Sequence, residues 1–326
     1  MSAIEASNIG VAYTSPEDKD YRSYVQYLKM YNTALQRKVQ AVLDEQLTPG
    51  MQQNSLIVTP GSDGRLEKGP QSEMELMVLS FNPLLIDEVS QVIRDQIERV
   101  LSPNTKFEHV DPQLIDQKSV TYFEGQINNP RPSRIMDANP ICGNEELLKS
   151  ATQFLTRELI GDNGKKVLRT LVRRVKKARQ TCKTGMNKFR KKEFRHFDLE
   201  QGIVNYQPDQ NVEGFKQGPL RLVQSLIIKE IVHLIRNNPK YQTLLDDLPK
   251  NTMDRLFYLF VEELLKLNYS EVEELAQLYS YFLYEYHKSQ HEYIKTGGTI
   301  MVFDTIEIQE RIADIMKLIR GGIVRK

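Results

Sequence analysis

The sequence predicts an α+β protein in which a mixed sheet with flanking helices is followed by an all-α helical bundle. Short β-branched runs and period-two alternation, the patterns of strands, are concentrated between residues 46 and 145. Outside this region, apolar residues recur at three- and four-residue steps, which is the period of an α-helix. We therefore expect an N-terminal long helix (1–45), a strand-containing domain (46–145) and a helical domain (146–326).

The composition is that of an ordinary globular protein. The 326 residues carry a net charge of +1, which predicts no acidic or basic partner for the chain as a whole. No apolar run reaches the ~18 residues that a membrane span needs, and no signal-peptide layout opens the chain. Cys142 and Cys182 are far apart and in no metal-binding spacing, which suits a reducing compartment. We expect a cytoplasmic protein with no membrane partner, although a secreted effector would have the same composition.

The N-terminal helix is predicted by its cap and by its apolar stripe. Ser15, Pro16 and the two acids that follow are typical of a helix start. From there to about Glu45, apolar and aromatic residues recur along one side, which predicts a long amphipathic helix. We expect this helix to pack against the sheet that follows it.

The central stretch contains two strand patterns around a glycine-rich loop. Residues 56–58 form a short β-branched run, and residues 72–77 alternate between polar and apolar. The alternation places Glu73 and Glu75 on one face, beside the mouth of the loop. Two carboxylates next to backbone N–H groups and the hydroxyl of Ser62 are suited to a divalent metal and a phosphate.

Residues 61–76 fit a known signature without a gap. It has the form G-[GS]-x-G-R-x-E and, a few residues later, S-D-x-D-L. The residues in register are Gly61, Ser62, Gly64, Arg65, Glu67, Pro70, Ser72 and Leu76. The stretch therefore resembles the nucleotidyltransferases of the DNA polymerase β superfamily, above all the uridylyltransferases that modify the PII nitrogen-signal protein and the related domains that accompany CBS modules. Glu73 and Glu75 replace both aspartates of the family's metal pair.

A third carboxylate is implied further along the same domain. Asn82 and Pro83 begin a predicted helix, and residues 107–110 predict a short strand. Residues 133–144 are similar to the family's later core strand, and on that match Asp137 has the position of the third active-site carboxylate. Judged without the resemblance, Asp137 would be an ordinary surface or turn acid.

The helical half contains a strongly basic run. From Lys165 to Arg195 there are fourteen Lys or Arg residues against one acid, Glu193. One interpretation is a surface that binds phosphate or RNA. The other is a solvated helix face whose charge is balanced by acids elsewhere in the fold. Further helices are predicted at about 227–235, 253–267, 272–293 and 306–319.

Residues 203–224 supply a second match to the uridylyltransferases. These carry P-x-(D/N)-x-K-x-G-(P)-G-L-R-D just before a helix. The residues in similar order are Pro208, Lys216, Gly218, Pro219, Leu220 and Arg221, with Leu222 in place of the terminal acid. Lys216 and Arg221 accompany a glycine turn and a helix N-terminus, which favours anion binding. Alternatively, they clamp the loop to the helix.

The resemblance implies a metal-dependent transfer of an NMP from an NTP, ATP or UTP, to an acceptor hydroxyl on a protein. Two ions of Mg²⁺ or Mn²⁺ would clamp the attacking and leaving oxygens. The implied catalytic residues and metal ligands are Glu73, Glu75 and Asp137. The implied nucleotide-binding residues are Gly61, Ser62, Gly64, Arg65, Lys216 and Arg221.

Two other functions stay open on the sequence. The extra methylene of each Glu moves its carboxylate by more than ~1 Å, and such a displacement can cost on the order of a hundredfold in rate. A protein that keeps the fold but senses a nucleotide or binds a partner is therefore the first alternative. An RNA-directed nucleotidyltransferase that uses the basic run is the second.

Overall fold

A four-stranded mixed sheet is the centre of the strand-containing part of the protein. In the computed structural model the strand order is β3-β2-β1-β4, with β1 at Leu56–Thr59, β2 at Met74–Ser80, β3 at Phe107–Leu114 and β4 at Asn139–Gly143. Strand β1 pairs antiparallel with β2 and with β4, whereas β2 and β3 run parallel. The predicted α+β class with helical parts is therefore confirmed.

The structure describes most of the chain, with gaps. The described residues are 21–70, 72–97, 107–114, 131–190, 197–198, 203–205, 215–295, 300–302, 305–320 and 323. The predicted cap at Ser15 and Pro16, and Pro208 of the second match, lie outside them. Helices account for most of the described residues. They are α1 (Tyr21–Gln46), α2 (Pro49–Asn54), α3 (Gly61–Gly64), α4 (Pro83–Ile97), α5 (Arg131–Asp137), α6 (Glu146–Ile160), α7 (Asp162–Arg190), α8 (Arg221–Asn237), α9 (Leu244–Asp247), α10 (Thr252–Val261), α11 (Tyr269–Lys295) and α12 (Thr305–Leu318).

The chain divides into two compact units. The first, here called the sheet unit, comprises Gln26–Thr170 and Ile231–Arg255 and contains the four-stranded sheet. The second, here called the helix unit, comprises Met1–Val25, Leu171–Glu230 and Leu256–Lys326. It contains α11, α12 and a small antiparallel sheet of β5 (Phe197–Asp198), β6 (Ile203–Asn205) and β7 (Ile300–Val302). The prediction that residues 146–326 are all-α was therefore wrong, because these three short strands lie within that range. No helix of the described residues is long and apolar enough to span a membrane.

Burial along β2 leaves only its N-terminal end accessible to solvent. Met74, Leu76 and Val78 of β2 share one apolar cluster with residues of α1 and α4, so the predicted packing of α1 on the sheet is confirmed. From Leu76 to Ser80 both faces of β2 are buried, whereas Glu75 near its first residue is partly exposed. Polar side chains on β2 therefore reach solvent at its N-terminal end.

Two local predictions around the sheet were wrong. The loop after β1 is a single helical turn, α3, and residues 133–137 belong to the short helix α5 instead of a strand. Strand β4 begins after this helix, at Asn139. The predicted strand at residues 107–110 is confirmed and continues to Leu114.

Close backbone packing at Gly64 provides a test of this arrangement. A Cβ on Gly64 would lie 2.0 Å from the carbonyl oxygen of Asp137 and 2.3 Å from that of Thr59. We expect Gly64→Ala to lower the free energy of unfolding by about 3 kcal/mol, because neither backbone oxygen is on a flexible side chain.

Urea denaturation measures this change, and Gly50→Ala in α2 is the matched control. A Cβ on Gly50 meets no atom within 4 Å, so this variant should match or slightly exceed the wild-type stability. Equal stabilities for the two variants would contradict the packing at Gly64.

Candidate functional site

The glycine turn and the carboxylate of Glu75 lie side by side at one edge of the sheet. Because β1 and β2 are antiparallel, the end of β1 and the start of β2 meet at this edge. Gly61 follows β1 with a positive φ of 61°, and a Cβ there would lie 3.8 Å from Oε2 of Glu75. The next residue, Ser62, is exposed, and so is Glu73 just before β2. The structure thus brings together the glycine turn, Ser62 and the start of β2.

The carboxylate of Glu75 is partly exposed and paired with an arginine. Its side chain is 27% exposed, and Arg134 Nη2 of α5 donates to Oε2 at 3.1 Å. The charge-assisted hydrogen bond orients the carboxylate. A metal ion or a phosphate at this edge would therefore meet a carboxylate next to a guanidinium.

The carboxylate of Asp137 is buried between two arginines. Arg65 Nη1 donates to Oδ2 at 2.5 Å, and Arg255 Nη1 donates to Oδ1 at 2.7 Å. Arg255 Nη2 also donates to the carbonyl of Met136 at 2.8 Å. Both oxygens of Asp137 are thus occupied, and a metal could bind them only by displacing an arginine.

Glu67 extends this buried network to the start of α10. Its Oε2 accepts from Arg65 Nε at 2.8 Å, and its Oε1 accepts from the backbone N–H of Thr252 at 2.7 Å. An acid at a helix N-terminus satisfies a free N–H and interacts favourably with the helix dipole. Asn251 Nδ2 donates to the carbonyl of Arg65 at 3.1 Å. Arg65, which the resemblance assigns to the nucleotide, is here a link between Asp137 and Glu67.

A second buried ion pair lies within the same loop. Lys68 Nζ is 3.7 Å from Oδ1 of Asp63, and both side chains are almost fully buried. The Oδ2 atom of Asp63 accepts a long hydrogen bond, 3.4 Å, from the N–H of Glu75. Burial raises the pKa of Asp63 to about 7, although Lys68 opposes the shift, and burial lowers the pKa of Lys68. The pair therefore connects the loop to the first residues of β2.

The other predicted nucleotide-binding cations lie in the helix unit. Lys216 is exposed in a π-helical turn, Lys216–Leu220, and Arg221 begins α8. A Cβ on Gly218 within this turn would lie 3.5 Å from Sγ of Cys182. The turn and the start of a helix were both expected there, whereas their part in nucleotide binding stays a prediction.

Helix α7 presents the basic run on its solvent face. Its apolar side is buried and consists of Val167, Leu171, Val175, Ala178 and Cys182. Its exposed cations with described side chains are Lys165, Lys166, Arg169, Arg173, Lys176, Lys177 and Lys183. Lys165 pairs with Asp162 at 3.2 Å, whereas no ion pair within the described part of the chain involves the other six. The side chains from residue 184 to Arg195 lie outside the described residues.

Strand β3 lies parallel to β2, with His109 opposite Glu75 and Asp111 opposite Met77. The strand continues to Leu114, beyond the predicted end at residue 110.

Comparisons with known proteins do not assign the chain to a family. No protein-family model matches it, and a search of curated proteins returned no match. Within the described ranges, no group of three or more His, Cys, Asp or Glu residues is arranged to hold a metal.

The role of Asp137 can be tested by its effect on stability. We expect Asp137→Asn to lower the free energy of unfolding by about 3–5 kcal/mol, because it leaves the buried guanidinium of Arg255 without its counter-charge and leaves Arg65 paired with Glu67 alone. Chemical denaturation checks this, with Asp95→Asn on the exposed side of α4 as a control that should change stability by less than about 0.5 kcal/mol. A variant at Asp137 as stable as the wild type would show that its carboxylate is not needed to balance these arginines.

The Asp63–Lys68 pair predicts a pH dependence of stability. The folded protein holds the Asp63 proton up to a pKa of about 7, whereas the unfolded chain releases it near the ordinary aspartate pKa of 3.8. The contribution of Asp63 is therefore fully present below about pH 4 and is lost as the pH rises through about 7. Replacing both residues, Asp63→Asn with Lys68→Met, should remove this fall.

The measurement is the free energy of unfolding between pH 4 and pH 8 for the wild type and the double variant. As the pH rises across this range, the free energy of unfolding of the wild type should fall relative to that of the double variant. Parallel profiles would contradict a raised pKa for Asp63.

Proposed function

We propose that the protein is a metal-dependent nucleotidyltransferase that moves an NMP from ATP or UTP to an acceptor hydroxyl on a protein. The observation that supports this most is the contact distance between the Gly61 position and the carboxylate of Glu75. A glycine turn with an exposed serine thus lies against the start of β2, where Glu73 just before the strand and Glu75 within it are both accessible to solvent. A phosphate and a divalent ion can share such an edge.

The donor atoms at this edge fit Mg²⁺ or Mn²⁺. Mg²⁺ is usually held by one or two carboxylates together with substrate phosphates and water, so Glu73 and Glu75 meet its requirements without a third acid. In the proposed reaction these two glutamates hold the ion, and Ser62 with the backbone of the turn holds the phosphates. Asp137 and Arg65 fix the position of the turn through their ion pair. When bound, the ions neutralise charge at the α-phosphate.

The proposal predicts a metal-dependent nucleotide affinity that requires the two glutamates. The double replacement Glu73→Gln with Glu75→Gln should weaken Mn²⁺-dependent binding of ATP or UTP by at least ~10- to 100-fold. Mutating residues that only hydrogen-bond to metal ligands already lowers metal affinity by that factor. Titration calorimetry with and without Mn²⁺ checks this, with Glu88→Gln on the exposed side of α4 as a control of equal chemistry.

Incubation with labelled NTPs, Mn²⁺ and a cell lysate separates transfer from sensing. A labelled protein band that requires Glu73 and Glu75 supports the transferase. Metal-dependent binding without any labelled band identifies the nucleotide-sensing alternative, which the arginine pairing of Glu75 and Asp137 favours. Nucleotide binding that is indifferent to the metal and to both glutamates would contradict the proposed site.

A second candidate function is RNA binding by the exposed face of α7. From Lys166 to Lys183 this face extends over about 26 Å at 1.5 Å per residue. Its cations have no acid among them, and its apolar side is buried in the protein instead of being available for a lipid surface. Many cations acting together release counterions from a nucleic acid, whereas one cation contributes little.

If α7 binds RNA, the affinity for RNA should fall steeply with salt concentration, and the cations of α7 should account for that fall. Replacing four cations with Gln should reduce the slope of log affinity against log salt by about 3–4 for duplex RNA, by analogy with the loss of about 0.9 per phosphate contact measured on DNA. These are Arg169, Arg173, Lys176 and Lys177. A charge-matched control replaces exposed lysines on other elements, namely Lys38, Lys149, Lys240 and Lys317. Fluorescence anisotropy at several salt concentrations checks this, and equal slopes for both variants would exclude α7 as the RNA surface.

A further inference from the structure

The segment that precedes α10 is fixed against the network around Asp137. The carbonyl of Pro249 accepts from Arg255 Nε at 2.6 Å, and Asn251 donates to the carbonyl of Arg65. Lys250 lies between these two anchored residues. Its position beside the network is thus determined by contacts on both sides.

Lys250 has no counter-charge of its own. It is partly buried, and no hydrogen bond or ion pair joins it to another residue of the part of the chain that the structure describes. Each oxygen of Asp137 and Glu67 already accepts from another group. The network therefore contains three cations, Lys250 with Arg65 and Arg255, against two carboxylates.

The unmatched charge has an energetic cost that an anion would remove. Burial and the neighbouring charge of Arg255 lower the pKa of Lys250 to about 8, against the opposing effect of Asp137. A partly desolvated ammonium group without a partner is unfavourable, and a charge-assisted hydrogen bond to an anion would offset that penalty. The position is therefore prepared for a ligand oxygen with negative charge.

We propose that Lys250 binds a phosphate group, and that this phosphate belongs to the tail of the nucleotide bound at the Gly61 turn. The assignment to a nucleotide rests on the proposed function. Arg65 follows the turn directly and contacts Asn251, so the Lys250 segment and the turn are parts of one structure. Lysine acts on phosphate as a mobile point charge, which suits a tail whose oxygens are spread over several phosphates.

The test compares Lys250→Gln and Lys250→Arg with the wild type in calorimetric titrations. The ligands are Mg²⁺–ATP, Mg²⁺–UTP, inorganic tripolyphosphate, and the nucleosides adenosine and uridine. Loss of a hydrogen bond to a charged group should weaken NTP and tripolyphosphate binding by on the order of 10- to 100-fold in the Gln variant. The Arg variant should retain most of the affinity, and nucleoside binding should not change.

Two controls separate ligand binding from a structural role. Lys240→Gln removes an exposed lysine of the same unit and should bind like the wild type. The Lys250→Gln variant should be at least as resistant to urea as the wild type, because it removes an unmatched charge. A large loss of stability would instead assign Lys250 a structural role and overturn the proposal.

The outcomes distinguish this proposal from the transferase proposal. Unchanged NTP affinity in Lys250→Gln, while Glu75→Gln weakens it, overturns the role of Lys250 and leaves the proposed function standing. Tripolyphosphate binding that depends on Lys250 without any NTP binding supports a phosphate site and contradicts the nucleotide assignment. Binding of neither ligand by the wild type overturns both.

Discussion

The buried carboxylate of Asp137 is the constraint on which the geometry of the candidate site depends. It joins Arg65, which follows the glycine turn, to Arg255 on α10, and its own backbone packs against Gly64. Three segments that are far apart in the sequence are therefore held together by one group. Without this acid the buried guanidinium of Arg255 would lose its counter-charge, and Arg65 would keep only Glu67, so the turn cannot easily move away from α5 and α10.

The acids of this region consequently have two different roles. Asp137 and Glu67 are buried, and their oxygens are occupied by arginines and by the N-terminus of α10. Glu73 and Glu75 lie at the open end of β2, where solvent and a ligand can reach them. Burial thus separates acids that hold the structure from acids that are available to a metal, although the sequence signature contains both kinds. The cations of the Asp137 network differ in the same way. Arg65 and Arg255 are each paired with an acid, whereas Lys250 has no acid as a partner among the described residues and is available to a ligand.

Local patterns predicted strands β1 and β2, the start of β3 and the longer helices. They missed the short strands β5, β6 and β7 and the contacts between residues that are distant in the sequence. The apolar run at residues 56–58 and the alternation before Leu76 can be recognised as strands from neighbouring residues alone. Residues 133–137 were expected in a strand because the resemblance aligned them with the family's later core strand, whereas the chain forms a short helix there and β4 begins only at Asn139. The arginine pairing of Asp137 could not be predicted, since Arg255 is 118 residues away and no local pattern marks the partner of a buried acid.

The most direct measurement is an anomalous diffraction map from crystals grown with Mn²⁺ and a non-hydrolysable ATP or UTP analogue. We expect a manganese peak coordinated by Glu73 and Glu75, with phosphate oxygens at the Gly61–Ser62 turn and Asp137 still bound to both arginines. Manganese and phosphate located away from β2, or absent at saturating concentrations, would contradict the proposed site.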